Sequence, residues 1–293
     1  MTQTQGAFDG VFDKVAGEYD TEGVVFFKPV AERLLEHAAV RRGQRVLDIG
    51  CGRGAVTFPA AAAVGAEGEV FGIDLSAAMV DAIKADVAAA GIGNIKIRRM
   101  DGQDPTFAPR DFDAITGSMS IVMVPALSVA LANYAHLLKP GGVLAFSAPD
   151  TRNQEGAWKT GPVDIGRLAA EIPTSVLQQR PMVARLVQGD LLDLSAIPGL
   201  LADAGFVDVT EHREDVQVVS DSPEGLVRWT QQHGMRAVWD AVPEERRAVV
   251  EQELIADAAA EADESGHVTF GFPVAFFVAR TPQSAATGCP FPG

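Results

Sequence analysis

The sequence predicts one α/β domain with a doubly wound parallel sheet, and three observations support this class. Short apolar strand patterns alternate with helical patterns over residues 46–147, which is typical of βαβ units. A glycine-rich turn, Gly50-Cys51-Gly52-Arg53-Gly54, joins the first of these strands to the next helix. Acidic side chains follow several strands, and parallel strands bring their carboxyl ends to one edge of a sheet.

The composition narrows the function classes. The chain has 293 residues, 47% of them hydrophobic, which is enough for a large core. Its formal charge is −15, and no basic cluster is larger than Arg41-Arg42 or Arg98-Arg99, so a nucleic-acid partner is disfavoured. Cys51 and Cys289 make neither a disulfide framework nor a zinc set, and no other metal ligand set is clustered. We find no signal-peptide pattern and no apolar run of membrane-spanning length, so we expect a cytoplasmic protein without a membrane partner. The sequence leaves open whether the protein forms a homodimer.

The first strand and its turn indicate the kind of ligand. Val46, Leu47 and Ile49 form a short apolar strand, and the glycines after it let the backbone approach a ligand closely. Their spacing is G-x-G-x-G, whereas dinucleotide-binding turns have G-x-G-x-x-G. Asp48 precedes the turn, where a carboxylate repels a pyrophosphate but suits an ammonium group. Asp74 ends the next strand, where an acid accepts hydrogen bonds from ribose hydroxyls. These features suit S-adenosylmethionine (SAM) better than NAD.

The remaining elements follow in order. Ser76 is a good N-cap for the second core helix, Met79 lies on its apolar face, and Gly91 ends it. Asp101 follows the third strand, so that it shares the sheet edge with the earlier acids. Two helical patterns precede the sheet, at about 8–19 and 29–39. The predicted strands are 46–49, 69–73, 94–98, 112–118, 143–147, 206–210 and 267–279, and the later core helices are 127–138 and 194–204.

Taken together, these motifs resemble the class I SAM-dependent methyltransferases of the small-molecule and natural-product type, related to the quinone C-methyltransferases. The pattern Phe12-Asp13 … Tyr19-Asp20, the strand Phe112–Ser118 and the stop Leu138-Lys139-Pro140-Gly141-Gly142 add to this resemblance. It implies a Rossmann-like, seven-stranded sheet with helical caps, and SAM as cofactor. The cofactor residues that it implies are Tyr19, Asp48, Gly50, Cys51, Gly52, Asp74, Leu75, Met79, Asp101, Gly102, Gln103 and Ser118.

The domain divides into a core and two insertions. We expect N-terminal helices over 1–41, a SAM-binding core over 42–150 and a lid over 151–190. The core continues over 191–221 and 267–280, a helical cap over 222–266 interrupts it, and 281–293 is a flexible tail. The cap is predicted to hold helices at 226–239 and 243–262, and the last strand to have a bulge or bend around Pro273. Lid, cap and N-terminal helices should enclose the acceptor, with Phe27, Met119, Trp158 and Trp229 as substrate-binding residues.

Methyl transfer from SAM needs little beyond alignment of the acceptor with the methyl group, because SAM carries an activated methyl group. A general base is required only for a hydroxyl or an acidic carbon. His233, one helical turn after Trp229, is the candidate for that base, and an unperturbed histidine titrates near neutrality. Two other activities remain open: a cyclase or isomerase that binds SAM without transferring methyl, and a quinone-type C-methyltransferase. The sequence does not identify the acceptor atom.

Overall fold

The computed structural model describes residues 10–20, 23–152, 159–188 and 193–283. The strands within these ranges are β1 (Val24–Val25), β2 (Arg45–Ile49), β3 (Glu69–Asp74), β4 (Ile95–Arg99), β5 (Phe112–Ser118), β6 (Leu138–Pro149), β7 (Lys159–Thr160), β8 (Val163–Asp164), β9 (Val207–Ser220) and β10 (Val268–Arg280). The α-helices are α1 (Val11–Val15), α2 (Phe27–Ala38), α3 (Thr57–Val64), α4 (Ala77–Ala90), α5 (Leu127–Leu137), α6 (Ile165–Glu171), α7 (Thr174–Gln179), α8 (Pro181–Gln188), α9 (Ile197–Asp203), α10 (Pro223–Trp229), α11 (Arg236–Trp239) and α12 (Glu244–Ala260). None of these described helices is long and apolar enough to span a membrane.

Eight of the described strands form the main sheet, in the order β1-β9-β10-β6-β5-β2-β3-β4. Strands β2 to β6 run parallel, whereas β10 runs antiparallel to both β6 and β9. The predicted α/β class is confirmed, but the sheet is mixed and the predicted count of seven strands is wrong. The additional strand is β1, which pairs Val24 with Ser220 and Val25 with Val219. Two residues are too few to show an alternating pattern.

Helices cover both faces of the sheet, and neighbouring residues of β2 point to opposite faces. Val46 belongs to the apolar core that includes α2 and α3, and Leu47 belongs to the core that includes α5 and α9. Strand β2 also lies where the chain order of the sheet reverses, between β5 and β3. In open α/β sheets, ligands bind outside the carboxyl ends of the strands at this point.

Both insertions leave the sheet at that carboxyl edge. The first follows Pro149 at the end of β6, and the second joins Ser220 at the end of β9 to Val268 at the start of β10. They pack on each other, since Arg246 of α12 donates two hydrogen bonds to Glu171 of α6, at 2.7 and 2.9 Å. The described residues do not include three parts of the predicted lid and tail: 153–158 with Trp158, 189–192, and the tail from 284.

The cap helix predicted at 226–239 is interrupted. Helix α10 ends at Trp229, and α11 begins at Arg236. The hydroxyl of Thr230 donates to the carbonyl of Val227 at 2.6 Å and accepts from the indole N–H of Trp239 at 2.9 Å. These two bonds fold the second half of the segment back on the first, which an apolar periodicity alone does not reveal.

Of the bulge or bend predicted around Pro273, the bulge is wrong. The pairing of β10 with β9 runs in one register from Val268 to Val278, and the irregularity lies between Val278 and Arg280. The apolar pattern changes near Pro273 for another reason: from Val274 onward, β10 also pairs with β6. Residues 274–279 are therefore buried without alternation.

Candidate active site

The glycine turn after β2 brings the backbone to the carboxyl edge of the sheet. Gly50 has a φ of 65°, in the left-handed region, and an added Cβ would lie 2.5 Å from the Cβ of Ser120. The backbone N–H of Cys51 donates to the carbonyl of Ile73 at 2.9 Å, which fixes the turn against β3. Only glycine combines this conformation with so close an approach.

A cavity of about 320 Å³ opens over this turn. Its walls come from the glycine turn with the start of α3, from the N-terminal segment with the start of α2, and from the end of β5. The lining residues are Tyr19, Asp20, Phe27, Lys28, Glu32, Asp48, Gly50, Cys51, Gly52, Arg53, Gly54, Ala55, Val56, Phe58, Pro59 and Ser118. The structure thus brings together seven residues that the sequence predicts for the site: Tyr19, Phe27, Asp48, Gly50, Cys51, Gly52 and Ser118.

Asp48 is the most buried acid of the cavity wall, with 1% of its surface exposed. One carboxylate oxygen accepts a hydrogen bond from the hydroxyl of Thr57 at 2.6 Å, and the other accepts one from Thr116 at 3.2 Å. Burial raises the pKa of Asp48 to about 7, although both hydroxyls oppose the rise. An ammonium group at the cavity would favour the ionised carboxylate.

The acid at the end of β3, Asp74, joins two neighbouring elements. Its Oδ2 accepts from the backbone N–H of Gly52 and its Oδ1 from that of Ser76, each at 2.9 Å. Burial raises its pKa, and the backbone hydrogen bonds counter part of the rise. The predicted N-cap is present, because the Ser76 hydroxyl accepts from the N–H of Met79 at 3.1 Å. Ser76 also donates to Asp13, so α1 is held at the start of α4.

The residues predicted for the adenine side lie outside the cavity lining. Asp101 accepts from the backbone N–H of Gln103 at 2.8 Å and is exposed, which makes it available at the edge of the sheet. The carbonyl of Gly102 accepts from Tyr134 at 2.6 Å, and the Gln103 side chain accepts from the N–H of Ala126 at 2.8 Å. Leu75, with 54% of its surface exposed, also stands outside the cavity.

Met79 does not fit the role of a cofactor contact. Its side chain is 1% exposed and packs with Val15 and Ala16 between α1 and α4. The sequence pattern placed Met79 on the apolar face of its helix correctly, and that face packs against α1.

Ser118 ends β5 beside the cavity, and Met119 follows it. Met119 has a φ of 56°, a left-handed conformation that is uncommon for a non-glycine residue. The hydroxyl of the buried Ser147 accepts from the Met119 N–H at 3.1 Å and lies 3.3 Å from the Ser118 hydroxyl. Strained backbone of this kind is concentrated at functional sites. Met119 is not among the residues that line the cavity.

Two comparisons with known proteins decide the family. Residues 46–142 match the family model described as a methyltransferase domain. Nocamycin O-methyltransferase of Saccharothrix syringae is 41% identical over 282 residues, which cover 94% of this chain and 99% of that protein. The chain belongs to the class I SAM-dependent methyltransferases. It is a small-molecule methyltransferase, and its cofactor is SAM.

Other relatives and a solved structure agree with this membership. The aklanonic acid methyltransferase DauC of Streptomyces sp. strain C5 is 40% identical over 170 residues, 58% of this chain and 75% of that protein. The ubiquinone/menaquinone biosynthesis C-methyltransferase UbiE of Cellvibrio japonicus is 30% identical over 211 residues, 69% of this chain and 84% of that protein. The fold is shared with phosphoethanolamine N-methyltransferase 2 of Haemonchus contortus, solved with SAM, at a TM-score of 0.55 and 19% identity over 86% of this chain and 52% of that one.

The cavity of the methyltransferase fits its cofactor. Gly52 lines the cavity and has open space where a side chain would stand, so a ligand can approach the backbone of the turn closely there. Asp48 is among the lining residues of the cavity and Asp74 is not, but Asp74 is tied to the glycine turn through the N–H of Gly52. Within the described ranges, His, Cys, Asp and Glu side chains form no group of three that could hold a metal ion.

His233 does not fit the role of general base that its sequence position suggests. The partly buried ring packs against Trp229, with centroids 4.3 Å apart, and against Phe27 at 6.2 Å, and its Nε2 atom is buried without a hydrogen-bond partner among the described residues. Burial lowers the pKa of His233 to about 3, so the ring stays neutral. Its Nδ1 accepts from the N–H of Met235 at 3.4 Å, which leaves the proton of the neutral ring on Nε2. The ring therefore presents an N–H donor in place of a basic lone pair.

The aromatic wall of the methyltransferase is continuous from the cavity into the cap. Tyr19 stacks on Phe27 at 5.1 Å, and Phe27 lies 5.9 Å from Trp229, which is 2% exposed. Trp229 is thus a packing residue behind Phe27 and does not line the cavity. Asp20 was missed as a site residue. It follows Tyr19 in the quoted motif, but its place on the cavity wall depends on the path of the N-terminal segment, which the pattern does not show.

Proposed function

We propose that this methyltransferase transfers methyl to an oxygen atom of a small, mostly apolar natural product. The observation that carries the proposal is the lining of the cavity. It combines the glycine turn and Asp48 with the stacked rings of Tyr19 and Phe27. An acceptor that lies against these rings is flat and apolar over most of its surface. A cavity of about 320 Å³ fits small molecules only.

The relatives support oxygen as the acceptor atom. The relative that matches this chain along nearly its whole length is named an O-methyltransferase, whereas the quinone C-methyltransferase is less similar and covers less of the chain. A second relative is named for aklanonic acid, an acid. Acidic compounds offer oxygen atoms that give up a proton readily.

For the cofactor we propose three contacts. Asp74 binds the ribose hydroxyls, Asp101 binds the adenine amino group, and Asp48 faces the ammonium group. SAM supplies a methyl group activated by its sulfonium. The protein's own residues hold the reactants in line and keep water out, and such orientation contributes about 7–11 kcal/mol to catalysis in favourable cases.

The reaction can be tested directly. The enzyme is incubated with SAM and a panel of phenolic, enolic and carboxylic polyketides, and S-adenosylhomocysteine and product are quantified together. We expect equal amounts of both, with the new methyl group on oxygen in the NMR spectrum. A C-methylated product would indicate the quinone-type reaction. A rearranged product without S-adenosylhomocysteine would indicate a cyclase or isomerase, and either result would overturn the proposal.

We also propose that the enzyme works in the cytoplasm on free small molecules. Its formal charge of −15 opposes binding to nucleic acids and to anionic membrane surfaces. A filter-binding assay with RNA and DNA at low salt checks this, and tight binding there would contradict it.

A further inference from the structure

Two buried threonines flank Asp48. Thr57 is the first residue of α3, Thr116 lies in β5, and both are 0% exposed. Their neighbours in these elements include Ala60 and Ile115, which are apolar and equally buried. Valine has nearly the same shape as threonine and would fill such positions without a hydroxyl to desolvate. The two hydroxyls must therefore be accounted for by a polar partner.

Both hydroxyls are directed at the Asp48 carboxylate. The hydroxyl of Thr57 donates to Oδ2 at 2.6 Å, and that of Thr116 donates to Oδ1 at 3.2 Å. Thr116 also lies 3.5 Å from the carbonyl oxygen of Leu47, so its bond to Asp48 is the weaker of the two. The carboxylate is thus fixed from two sides, and each oxygen keeps a lone pair for a donor in the cavity that Asp48 lines.

Two donors of this kind favour the ionised form of a buried acid. Burial raises the pKa of Asp48 to about 7, the hydroxyls of Thr57 and Thr116 hold the pKa down, and Asp74 of β3 adds to the rise. Because a hydrogen bond to a carboxylate is stronger than one to a neutral acid, losing either hydroxyl favours the protonated form. A protonated Asp48 would present no charge to an ammonium group.

We propose that Thr57 and Thr116 are positioning residues of the cofactor site, which hold Asp48 as an oriented carboxylate for the ammonium group of SAM. The inference rests on the proposed contact between Asp48 and that group. It extends the site by two residues that are not among those lining the cavity. What they secure is recognition of the amino-acid end of the cofactor, so a ligand without the ammonium group gains nothing from them.

The test uses Thr57→Val, which keeps the shape of the side chain and removes its donor. Binding of S-adenosylhomocysteine to the cofactor-free enzyme is measured by isothermal calorimetry at pH 6.5 and pH 9. We expect about 5–10-fold weaker binding than wild type at pH 6.5, and a difference within about 2-fold at pH 9, where Asp48 is ionised in both proteins. The titration of the ligand's own amino group affects both proteins equally and cancels in the ratio.

Three further variants serve as controls. Thr57→Ser restores the hydroxyl and should bind as wild type does at both pH values. Thr116→Val should show the same pH dependence with a smaller loss, because its bond to Asp48 is longer. The matched control is Thr160→Val: Thr160 is 2% exposed, its hydroxyl has no partner among the described residues, and it is not in the cavity lining. It should keep wild-type affinity.

The other titratable groups around Asp48 are unchanged in these variants, so their contributions cancel as well. Asp74 and Cys51 are its charged or ionisable neighbours, and the cavity lining adds Tyr19, Asp20, Lys28, Glu32 and Arg53. Carbon-13 NMR of the cofactor-free protein follows the carboxyl group itself. The Asp48 signal is identified by its loss in Asp48→Asn, and it should titrate at a higher pH in Thr57→Val than in wild type.

A ligand without the amino group separates the proposed role from a structural one. The probe is the thioether of adenosine in which a carboxypropyl chain replaces the amino-acid chain of S-adenosylhomocysteine. Thr57→Val should bind this probe as tightly as wild type does. An equal loss for both ligands, or a loss that does not change with pH, would overturn the proposal and make Thr57 a packing residue.

The variant Asp48→Asn distinguishes failure of the positioning role from failure of the proposed ammonium contact. We expect Asp48→Asn to weaken binding of S-adenosylhomocysteine and to leave binding of the carboxypropyl probe unchanged. If it binds both ligands as wild type does, the ammonium contact is wrong, and the positioning role fails with it. If Asp48→Asn behaves as expected but Thr57→Val binds normally at pH 6.5, the contact stands and the positioning role is refuted.

Discussion

Asp74 accepts a hydrogen bond from the backbone N–H of Gly52 at 2.9 Å, which ties the end of β3 to the glycine turn after β2. Its other oxygen accepts from Ser76 at the start of α4. Each carboxylate oxygen retains a lone pair for a further donor. The proposed ribose-binding acid is therefore already oriented by the backbone before a ligand arrives, which reduces the entropy lost on binding.

Replacing Asp74 should weaken SAM binding selectively. In Asp74→Asn, one charge-assisted acceptor is lost, and we expect about 10–100-fold weaker binding by isothermal calorimetry. The matched control is Asp113→Asn. Asp113 accepts from the N–H of Arg45 and from Lys139, both at 2.8 Å, at the opposite edge of the sheet. The control should lose stability but keep its SAM affinity, and an unchanged affinity in folded Asp74→Asn would contradict the ribose assignment.

NAD should bind far more weakly than SAM. Asp48 lies buried directly before a turn that lacks the dinucleotide spacing, and its carboxylate opposes a pyrophosphate. Titration of both ligands in one buffer measures the ratio. Comparable affinities would show that the turn does not discriminate against phosphate.

A side chain at Gly50 should abolish SAM binding. Gly50→Ala combines the cost of a left-handed alanine, about 1 kcal/mol, with a contact of 2.5 Å to Ser120. Gly91→Ala is the matched control, because Gly91 has the same φ of 65° and open space around it. Thermal unfolding and calorimetry should show a stability loss in both and a binding loss in Gly50→Ala alone. The double variant Gly50→Ala/Ser120→Gly should recover part of the binding, and equal SAM affinity in all three would refute the close-approach argument.

The sequence predicted the part of the site that rests on local pattern. Asp48 and the glycine turn could be found because each follows an apolar strand, and the sheet then brings such strand ends to one edge. Asp74 is predicted in the same way, and its role in cofactor binding stays a prediction. The positions of Asp48, the glycine turn and Asp74 follow from the few residues around each of them. They also follow from the general property that parallel strands bring their carboxyl ends to one edge of a sheet.

The acceptor side depends on contacts between distant segments, which the sequence pattern does not show. Phe27 lines the cavity, whereas Met119 and Trp229 do not. The four-residue spacing between Trp229 and His233 predicts that the two side chains are neighbours, and their ring centroids lie 4.3 Å apart. Whether such a histidine titrates depends on burial by Phe27 from α2, about 200 positions earlier in the chain. Asp20 also depends on distant contacts: it stays exposed, but the fold places it among the residues that line the cavity.

The burial of His233 predicts a specific dependence of stability on pH. Its pKa is about 3 in the folded protein and about 6.5 in an unfolded chain. Above pH 6.5 the ring is neutral in both states, and its contribution to stability is complete. As the pH falls below 6.5, only the unfolded state binds the proton, so stability is lost progressively towards pH 3. At pH 5 the loss amounts to about 2 kcal/mol, since one pKa unit corresponds to about 1.4 kcal/mol.

The comparison of wild type with His233→Gln isolates this effect. Asp20 and Asp48 have raised pKa values, so their contributions have the opposite sign, but both proteins share them and they cancel in the difference. Urea unfolding at pH 7.5 and pH 5 should show that wild type loses about 2 kcal/mol more than the variant. Val227→Ala, a change at a buried, non-titrating position in α10, should lower stability equally at both pH values. If His233→Gln and wild type lose the same unfolding free energy between pH 7.5 and pH 5, the imidazole is protonated in the folded enzyme. Proton transfer by His233 would then again be a valid hypothesis.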